Sequence, residues 1–323
     1  MRRAVVESPF SKPEENSASF FRRFYLYQKE RFPFLGHGLL VACFSFSAIA
    51  YSRICRGAAG FVGTKIFLSG ILITISLFLL VRIFDEFKDA EDDALYRGDL
   101  PVPRGLVSLR ELGWVAVVIF VMQISVILYC YPQMLWLYLL VIAYLLLMGK
   151  EFFIASWLKK HQFWYVTSHM FIIPLVDMYA SGLDWKLAGA NPARGLLFFF
   201  AVSYMNGIVL EIGRKIRVPD MEAEGVLTYS GLLGANKAVL LWLCVLVVTL
   251  SLSIAASLFA GYGMIAFIVL GCVFILCSIP AFIFLSWKTP KMAKGIELAS
   301  ALWTMAMYLT LGGGPMISKL FFK

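Results

Sequence analysis

This chain has few charges, few histidines and no paired cysteines. Its six cysteines (Cys43, Cys55, Cys130, Cys244, Cys272, Cys277) are scattered, without a C-x-x-C pair, which argues against a disulfide framework and against a zinc site. Most of them fall inside apolar stretches, where a thiol behaves as a small hydrophobe. Charged residues make up 15 % of the chain against 60 % hydrophobic, which rules out an ordinary soluble domain. The first 30 residues lack an uninterrupted apolar core with a small-residue cleavage site, so a removable signal peptide is not expected.

A mean hydropathy of +0.80 points to an all-α, polytopic membrane protein. Stretches of about 20 apolar residues, enough to span a bilayer, are read near 34–52, 64–84, 109–130, 134–150, 164–182, 195–212, 237–259, 262–286 and 296–313. The expected count is therefore nine. Most of the 29 Lys and Arg fall in the N-terminal segment and in the loops on its side of the membrane. By the positive-inside rule that side is cytoplasmic. The same asymmetry accounts for the net charge of +9 without any nucleic-acid partner. Residues 1–33 are expected to form a cytoplasmic amphipathic segment, with Arg22, Arg23, Lys29 and Arg31 interleaved with Phe20, Phe21, Phe24 and Tyr25 as a basic anchor to membrane lipid. Residues 34–323 form the membrane domain.

The acids are concentrated where the second span ends, in Asp85-Glu86-Phe-Lys-Asp89-Ala-Glu-Asp92-Asp93. Acids at the lip of a membrane helix are costly and usually functional. On one helix Glu86, Asp89 and Asp93 would share a face, and Asp85, Asp89 and Asp92 an overlapping stripe. Carboxylate oxygens suit Mg²⁺, which is commonly held by one or two carboxylates while phosphate oxygens complete its octahedron. Arg82, Lys88, Arg97, Arg104 and Arg110 lie in the same loop, 82–108, or beside it. That mixture fits a metal-diphosphate better than a plain solvated acidic loop.

A second charged loop, 206–230, follows the sixth span on the same side and runs from Asn206 through Glu211, Arg214, Lys215, Arg217, Pro219, Asp220, Glu222 and Glu224. Glu211 and Lys215 sit four apart on a helix that Pro219 should end or bend. Arg214, Lys215 and Arg217 are suited to phosphate oxygens. Tyr204 and Asn206, on the helix leading into this loop, are candidates to touch the same ligand. Helices 1–4 and 5–8 could be a duplication with a ninth added, though the symmetry is of hydropathy only.

The pattern Asp85-Glu86-x-x-Asp89-x-x-x-Asp93, followed by Pro101-Val-Pro103-Arg104-Gly105-Leu-Val-Ser108, resembles the first Asp-rich motif and following loop of the UbiA superfamily of intramembrane prenyltransferases. The layout, with motifs after helices two and six, is similar too. The resemblance implies a nine-helix bundle with a cytoplasmic cap over a central cavity. It further implies an isoprenyl diphosphate bound through Mg²⁺ between two Asp-rich loops, with an allylic cation released among the helices. Asp85 then stands where the family has Asn, and Glu86, Asp89 and Asp93 match its acids. Glu211 matches the first acid of the second motif, but Lys215 replaces a further acid, with Asp220 and Glu224 as later candidates. On this reading Asp89, Asp93, Glu211 and Lys215 carry the chemistry. Asp85, Glu86, Asp89, Asp93, Glu211 and Asp220 are the metal candidates. Arg82, Arg97, Arg104, Asn206, Arg214, Arg217 and Tyr204 hold the diphosphate and prenyl group.

The expected function is Mg²⁺-dependent prenyl transfer to a lipophilic acceptor, an aromatic one being expected. A terpene cyclase acting on the isoprenyl diphosphate alone is the alternative within the fold. A transporter or cation permease is the alternative outside it, and a non-catalytic binding protein a further one. Phe198, Phe199, Phe200, Tyr204, Phe152, Phe153, Trp157 and Trp164 are candidate cation-facing aromatics, and Asp177, a lone acid in the fifth span, is a candidate for acceptor binding.

Overall fold

In the computed structural model, residues 13–321 are described, apart from 224; Glu224 and the first twelve residues of the expected amphipathic segment lie outside them. Every regular element among the described residues is helical. A single turn, α1 (Pro13–Asn16), precedes α2 (Phe20–Arg31), α3 (Phe34–Cys55), α4 (Thr64–Lys88), α5 (Ala90–Tyr96), α6 (Leu109–Cys130) and α7 (Leu135–Gly149). Then come α8 (Ala155–Lys160), α9 (Gln162–Met170), α10 (Ile172–Trp185), α11 (Leu196–Gly213), α12 (Tyr229–Leu233), α13 (Ala235–Phe259), α14 (Gly263–Ser286), α15 (Pro290–Tyr308) and α16 (Gly314–Phe321).

Seven helices among the described residues are long and apolar enough to cross a bilayer: α3, α4, α6, α7 with the turn before it, α11, α13 and α14. They coincide with seven of the nine expected spans, and the chain is an integral membrane protein. The other two expected spans are helical but differently built. The fifth is divided at Phe171 into α9 and α10, and the ninth is α15, which passes through a π turn at Leu309–Gly313 into α16.

Burial follows the inward faces. Ile73, Leu77, Leu80 and Ile83 of α4 meet Tyr138 and Leu145 of α7 and Val176 and Tyr179 of α10 in one core, continued by Val202 and Val209 of α11, Trp242 of α13 and Trp303 of α15. α10 packs against α3, α7 and α11, while α13, α14 and α15 stack in succession beside α11. Trp136, Val118, Ile265 and Phe267 stay exposed, as expected of a surface that meets lipid instead of water.

Two ion-pair arrangements lie at opposite ends of this bundle. Where α3 and α10 end, Asp184 accepts from Arg53 Nη1 at 2.9 Å, Arg56 Nη2 at 2.7 Å and Ser52 Oγ at 2.7 Å. At the other end α2 meets the C-terminal turn of α4, where Arg31 Nε donates to Glu86 Oε1 at 2.6 Å, and Arg104 reaches Glu30 at 2.7 Å. Arg23 and Arg31 thus turn inward to acids, while Phe21 and Tyr25 of the same helix are exposed.

Candidate active site

The acid run does not lie on one continuous helix. α4 ends at Lys88, Asp89 forms the joint with φ −94° and ψ 6°, and α5 restarts with Glu91, Asp92 and Asp93 in its first turn. Acids there suit the positive end of a helix dipole. The joint merges the two expected stripes and leaves only Glu86 out. Asp85, Asp89, Asp92 and Asp93 line a cavity, whereas Glu86 is outside its lining, 1 % exposed and paired with Arg31 and with Arg82 at 3.1 Å.

The second motif arrives on α11, which stops at Gly213, before the bend expected at Pro219. Gly213 lies against Ser300 and Trp242 with no room for a Cβ, and glycine is a weak helix former. Glu211 is buried between Arg214, whose Nε donates at 2.7 Å, and Lys215, whose Nζ is 2.8 Å away. The loop then returns over α5. Gly225 has φ +75°, a left-handed conformation that favours glycine, and a Cβ there would run into the Tyr96 ring. Two segments more than a hundred residues apart therefore meet at one mouth.

A third wall was not foreseen. Between α7 and α8, Glu151, Phe152 and Phe153 all adopt left-handed φ values of 46°, 53° and 61°, each costing on the order of 1–3 kcal/mol. That turn sets the buried Glu151 in the cavity wall, beside Lys159, Tyr165 and His169. Lys88 Nζ donates to the Tyr165 hydroxyl at 2.9 Å, and the Tyr165 and His169 rings stack at 4.0 Å. The only signal in the chain was a set of polar residues between two apolar stretches.

The cavity encloses about 570 Å³. Its rim is charged, and its interior is apolar, with Phe78, Val81, Met148, Met170, Ile173 and Leu210. Of the residues singled out from the sequence, Asp85, Asp89, Asp93 and Glu211 line it, as do Arg82, Arg97, Arg214 and Lys215. Arg104 instead ties α2 to the first loop through Glu30. Arg217 and Asp220 stay outside the lining, Asp220 exposed. Tyr204 donates to the Thr167 carbonyl at 3.4 Å. Asn206 is fully buried, its amide without a hydrogen-bond partner among the described residues, and Asp177 and Ser203 are buried as fully and face one another. None of the eight aromatics proposed to face a cation lines the cavity; Phe78, Tyr96 and Tyr165 do.

Burial pushes the Asp89 carboxyl above its ordinary range, against the pull of Lys88 and with added repulsion from Asp85 and Asp93. Asp93 is shifted the same way, again chiefly by burial, with Arg97 and Arg31 opposing. Among the described residues no three acid, His or Cys side chains are already gathered into a metal site, because Glu86 and Glu211 are held by their own cations. Asp89 is the least committed, 40 % exposed and 3.7 Å from Lys88. Mg²⁺ needs only one or two carboxylates when phosphate supplies the rest, so this donor set fits a metal that arrives with its ligand.

No protein-family model and no curated protein matches the sequence. Solved structures do match: a UbiA homologue from Aeropyrum pernix K1 superposes with a TM-score of 0.63 at 16 % identity, over 87 % of this chain and 98 % of its own. The chain has the UbiA fold. A structure described as digeranylgeranylglyceryl phosphate synthase shares the UbiA bundle at TM-score 0.54 and 14 % identity, covering 90 % of this chain and 98 % of that one. A UbiA homologue from Archaeoglobus fulgidus bound to DMAPP and Mg²⁺ does so at TM-score 0.51 and 14 % identity, over 85 % and 98 %.

Proposed function

We propose that the chain is a Mg²⁺-dependent membrane prenyltransferase that ionises an isoprenyl diphosphate and passes the prenyl group to a lipophilic, aromatic acceptor. The observation that carries this reading is one cavity with four aspartates and a set of cations at its rim over an apolar interior. The charges of this cavity, gathered at its rim toward one end of the bundle, favour an enzyme over a conduit, whose sites belong near the midplane. The basic loops assign that end to the cytoplasm.

Asp89 and Asp93, with Asp85 beside them, are the residues to hold Mg²⁺. When bound, Mg²⁺ supplies stabilisation for the negative charge that develops on the diphosphate as the allylic C–O bond breaks. Arg214, Lys215, Arg97 and Lys88 surround the same position with cations, and such clamps act most strongly where water is excluded. The apolar interior takes the prenyl chain and keeps water from the cation. Lys215, in place of an acid, adds positive charge for the leaving group.

The test is to incubate purified protein with Mg²⁺ and a panel of prenyl diphosphates, with and without membrane-extract acceptors, and to identify products by mass spectrometry. Prenylated acceptor and released pyrophosphate are expected. A cyclic hydrocarbon from diphosphate alone would replace the reading with a cyclase, and no turnover of any diphosphate would end both.

Lys215→Ala is expected to raise KM for the diphosphate about tenfold, the worth of one charge-assisted hydrogen bond, and Lys215→Asp to raise it further. Equal KM for the charge-reversed protein would show that Lys215 is not a phosphate ligand.

A pH dependence follows from Asp89 and Asp93. An acid whose folded pKa is raised holds its proton to higher pH than in the unfolded chain, so the metal-free protein loses stability as pH climbs from the ordinary carboxylate range through the raised values. Mg²⁺ binds the ionised form and offsets that loss. The Mg²⁺-induced rise in Tm should therefore be small at acid pH and grow toward neutrality. A pH-independent rise would remove these carboxylates from the metal site.

A further inference from the structure

We infer that His169 is the proton acceptor of the transfer step, through Nε2; the inference rests on the transferase reading above. His169 Nδ1 lies 2.8 Å from the Tyr165 carbonyl oxygen, one turn back on α9. A carbonyl can only accept, so Nδ1 carries a hydrogen. In the neutral ring Nε2 then carries the lone pair. The Ser168 hydroxyl, 3.3 Å from Nδ1, itself donates to the Tyr165 carbonyl and so offers Nδ1 an acceptor, consistent with the same tautomer.

Nδ1 faces the backbone of its own helix, so Nε2, on the far side of the ring, points away from it. Nε2 is buried and has no hydrogen-bond partner among the described residues, in a residue only 5 % exposed that lines the cavity. A histidine kept only for packing would be expected to satisfy both nitrogens, since an unpaired buried polar atom costs roughly 1–3 kcal/mol. Here the ring is held firmly with its lone pair unused. Tyr165 stacks on one face at 4.0 Å and 16°, and Phe152 meets it edge-on at 6.0 Å and 86°.

Depth gives the lone pair its task. One turn before His169, Tyr165 reaches the rim through Lys88; directly after it, Met170, Ile172 and Ile173 line the apolar interior. His169 therefore stands at the boundary between the diphosphate end and the prenyl end, the level at which the cation carbon is released and an acceptor must meet it. The allylic C–O bond breaks and its electron pair leaves with the diphosphate. The prenyl carbon then bonds to a ring carbon or a hydroxyl oxygen of the acceptor. The acceptor's displaced proton passes to Nε2, whose lone pair forms the new N–H bond, while the electrons of the broken C–H or O–H bond return to the acceptor. The imidazolium gives the proton to the departing diphosphate or to water as product leaves.

The assay uses the full chain in detergent, geranyl diphosphate, Mg²⁺ and a panel of lipophilic phenols and naphthols, following pyrophosphate and prenylated product separately. His169→Asn preserves a donor for the Tyr165 carbonyl and deletes Nε2; His169→Ala removes both. In each, pyrophosphate release should stay within a few-fold of the parent while prenylated product falls by about 10²-fold or more, the usual weight of a general base. Prenyl alcohol from captured water should make up the balance, and added imidazole should restore product in His169→Ala. Product in parental proportion to pyrophosphate in His169→Asn overturns the inference. So does a parallel fall of both with a raised KM for the diphosphate, which would mark a binding role. If the unaltered protein releases no pyrophosphate, the transferase reading itself has failed.

Discussion

Asp89→Ala is expected to reduce Mg²⁺-dependent pyrophosphate release by about 10²- to 10³-fold, the range seen when a preorganised stabiliser of developing charge is removed. The protein should remain folded. Asp89 sits at a joint between two helices, its side chain is 40 % exposed, and its nearest cation, Lys88, keeps Asp85 at 3.2 Å and the Tyr165 hydroxyl at 2.9 Å. Truncation therefore strands no buried partner. It also removes one of three neighbouring acids that repel one another, so the metal-free variant should melt no lower than the parent. Glu86→Ala provides the contrast. Glu86 is 1 % exposed and holds Arg31 and Arg82, so its loss should lower Tm, with activity falling only as α2 loosens. Parental turnover in Asp89→Ala would remove Asp89 from the metal, and an equal loss of Tm in both variants would assign Asp89 to the scaffold.

Asp184→Ala is expected to have the largest effect on stability, about 3–5 kcal/mol, the usual cost of removing one partner of a buried ion pair. Its side chain is fully buried, and the guanidiniums of Arg53 and Arg56 that it binds are 14 % and 18 % exposed. Without the carboxylate the Arg56 guanidinium and the Ser52 hydroxyl lose their acceptor, Arg53 keeps only the Gly60 and Ala59 carbonyls, and the hold of α10 on the end of α3 is lost. The cavity lies toward the other end of α10, at Ile172 and Ile173, about 18 Å away along the helix. KM and pyrophosphate release per folded molecule should therefore match the parent, while Tm in detergent drops sharply. A Tm equal to the parent's would show the pair to be solvated. A raised KM with unchanged Tm would mean that this end of the bundle is coupled to the site.

Membrane class and most helices were readable from the chain because hydropathy is a local, additive property. A run of apolar residues longer than the bilayer core has one low-energy fate, and seven of the expected spans are continuous helices. The broken fifth helix has a local cause that hydropathy does not register: Pro174 has no N–H to give the Met170 carbonyl and its ring crowds that carbonyl, so the helix is interrupted at Phe171. Among candidate site residues, Asp89, Asp93, Glu211 and Lys215 line the cavity, while Glu86 and Arg217, with as many charged neighbours in sequence, do not. Periodicity placed Glu86 with them, but the helix ends at Lys88 and Arg31 comes in from α2, a contact across 55 positions. Arg104 was drawn to Glu30 in the same way.

Composition and charge spacing were thus sufficient to establish a helical membrane protein with two charged loops on one side, because solvent transfer energies depend on residue type and on neighbours a turn away. Which acids open onto a shared cavity, that Glu151, Tyr165 and His169 complete its wall, and that the His169 lone pair is unspent were decided by long-range packing. Those outcomes depend on contacts such as Arg31 with Glu86, Lys88 with Tyr165 and Phe152 with His169, formed between segments that only the folded bundle brings together.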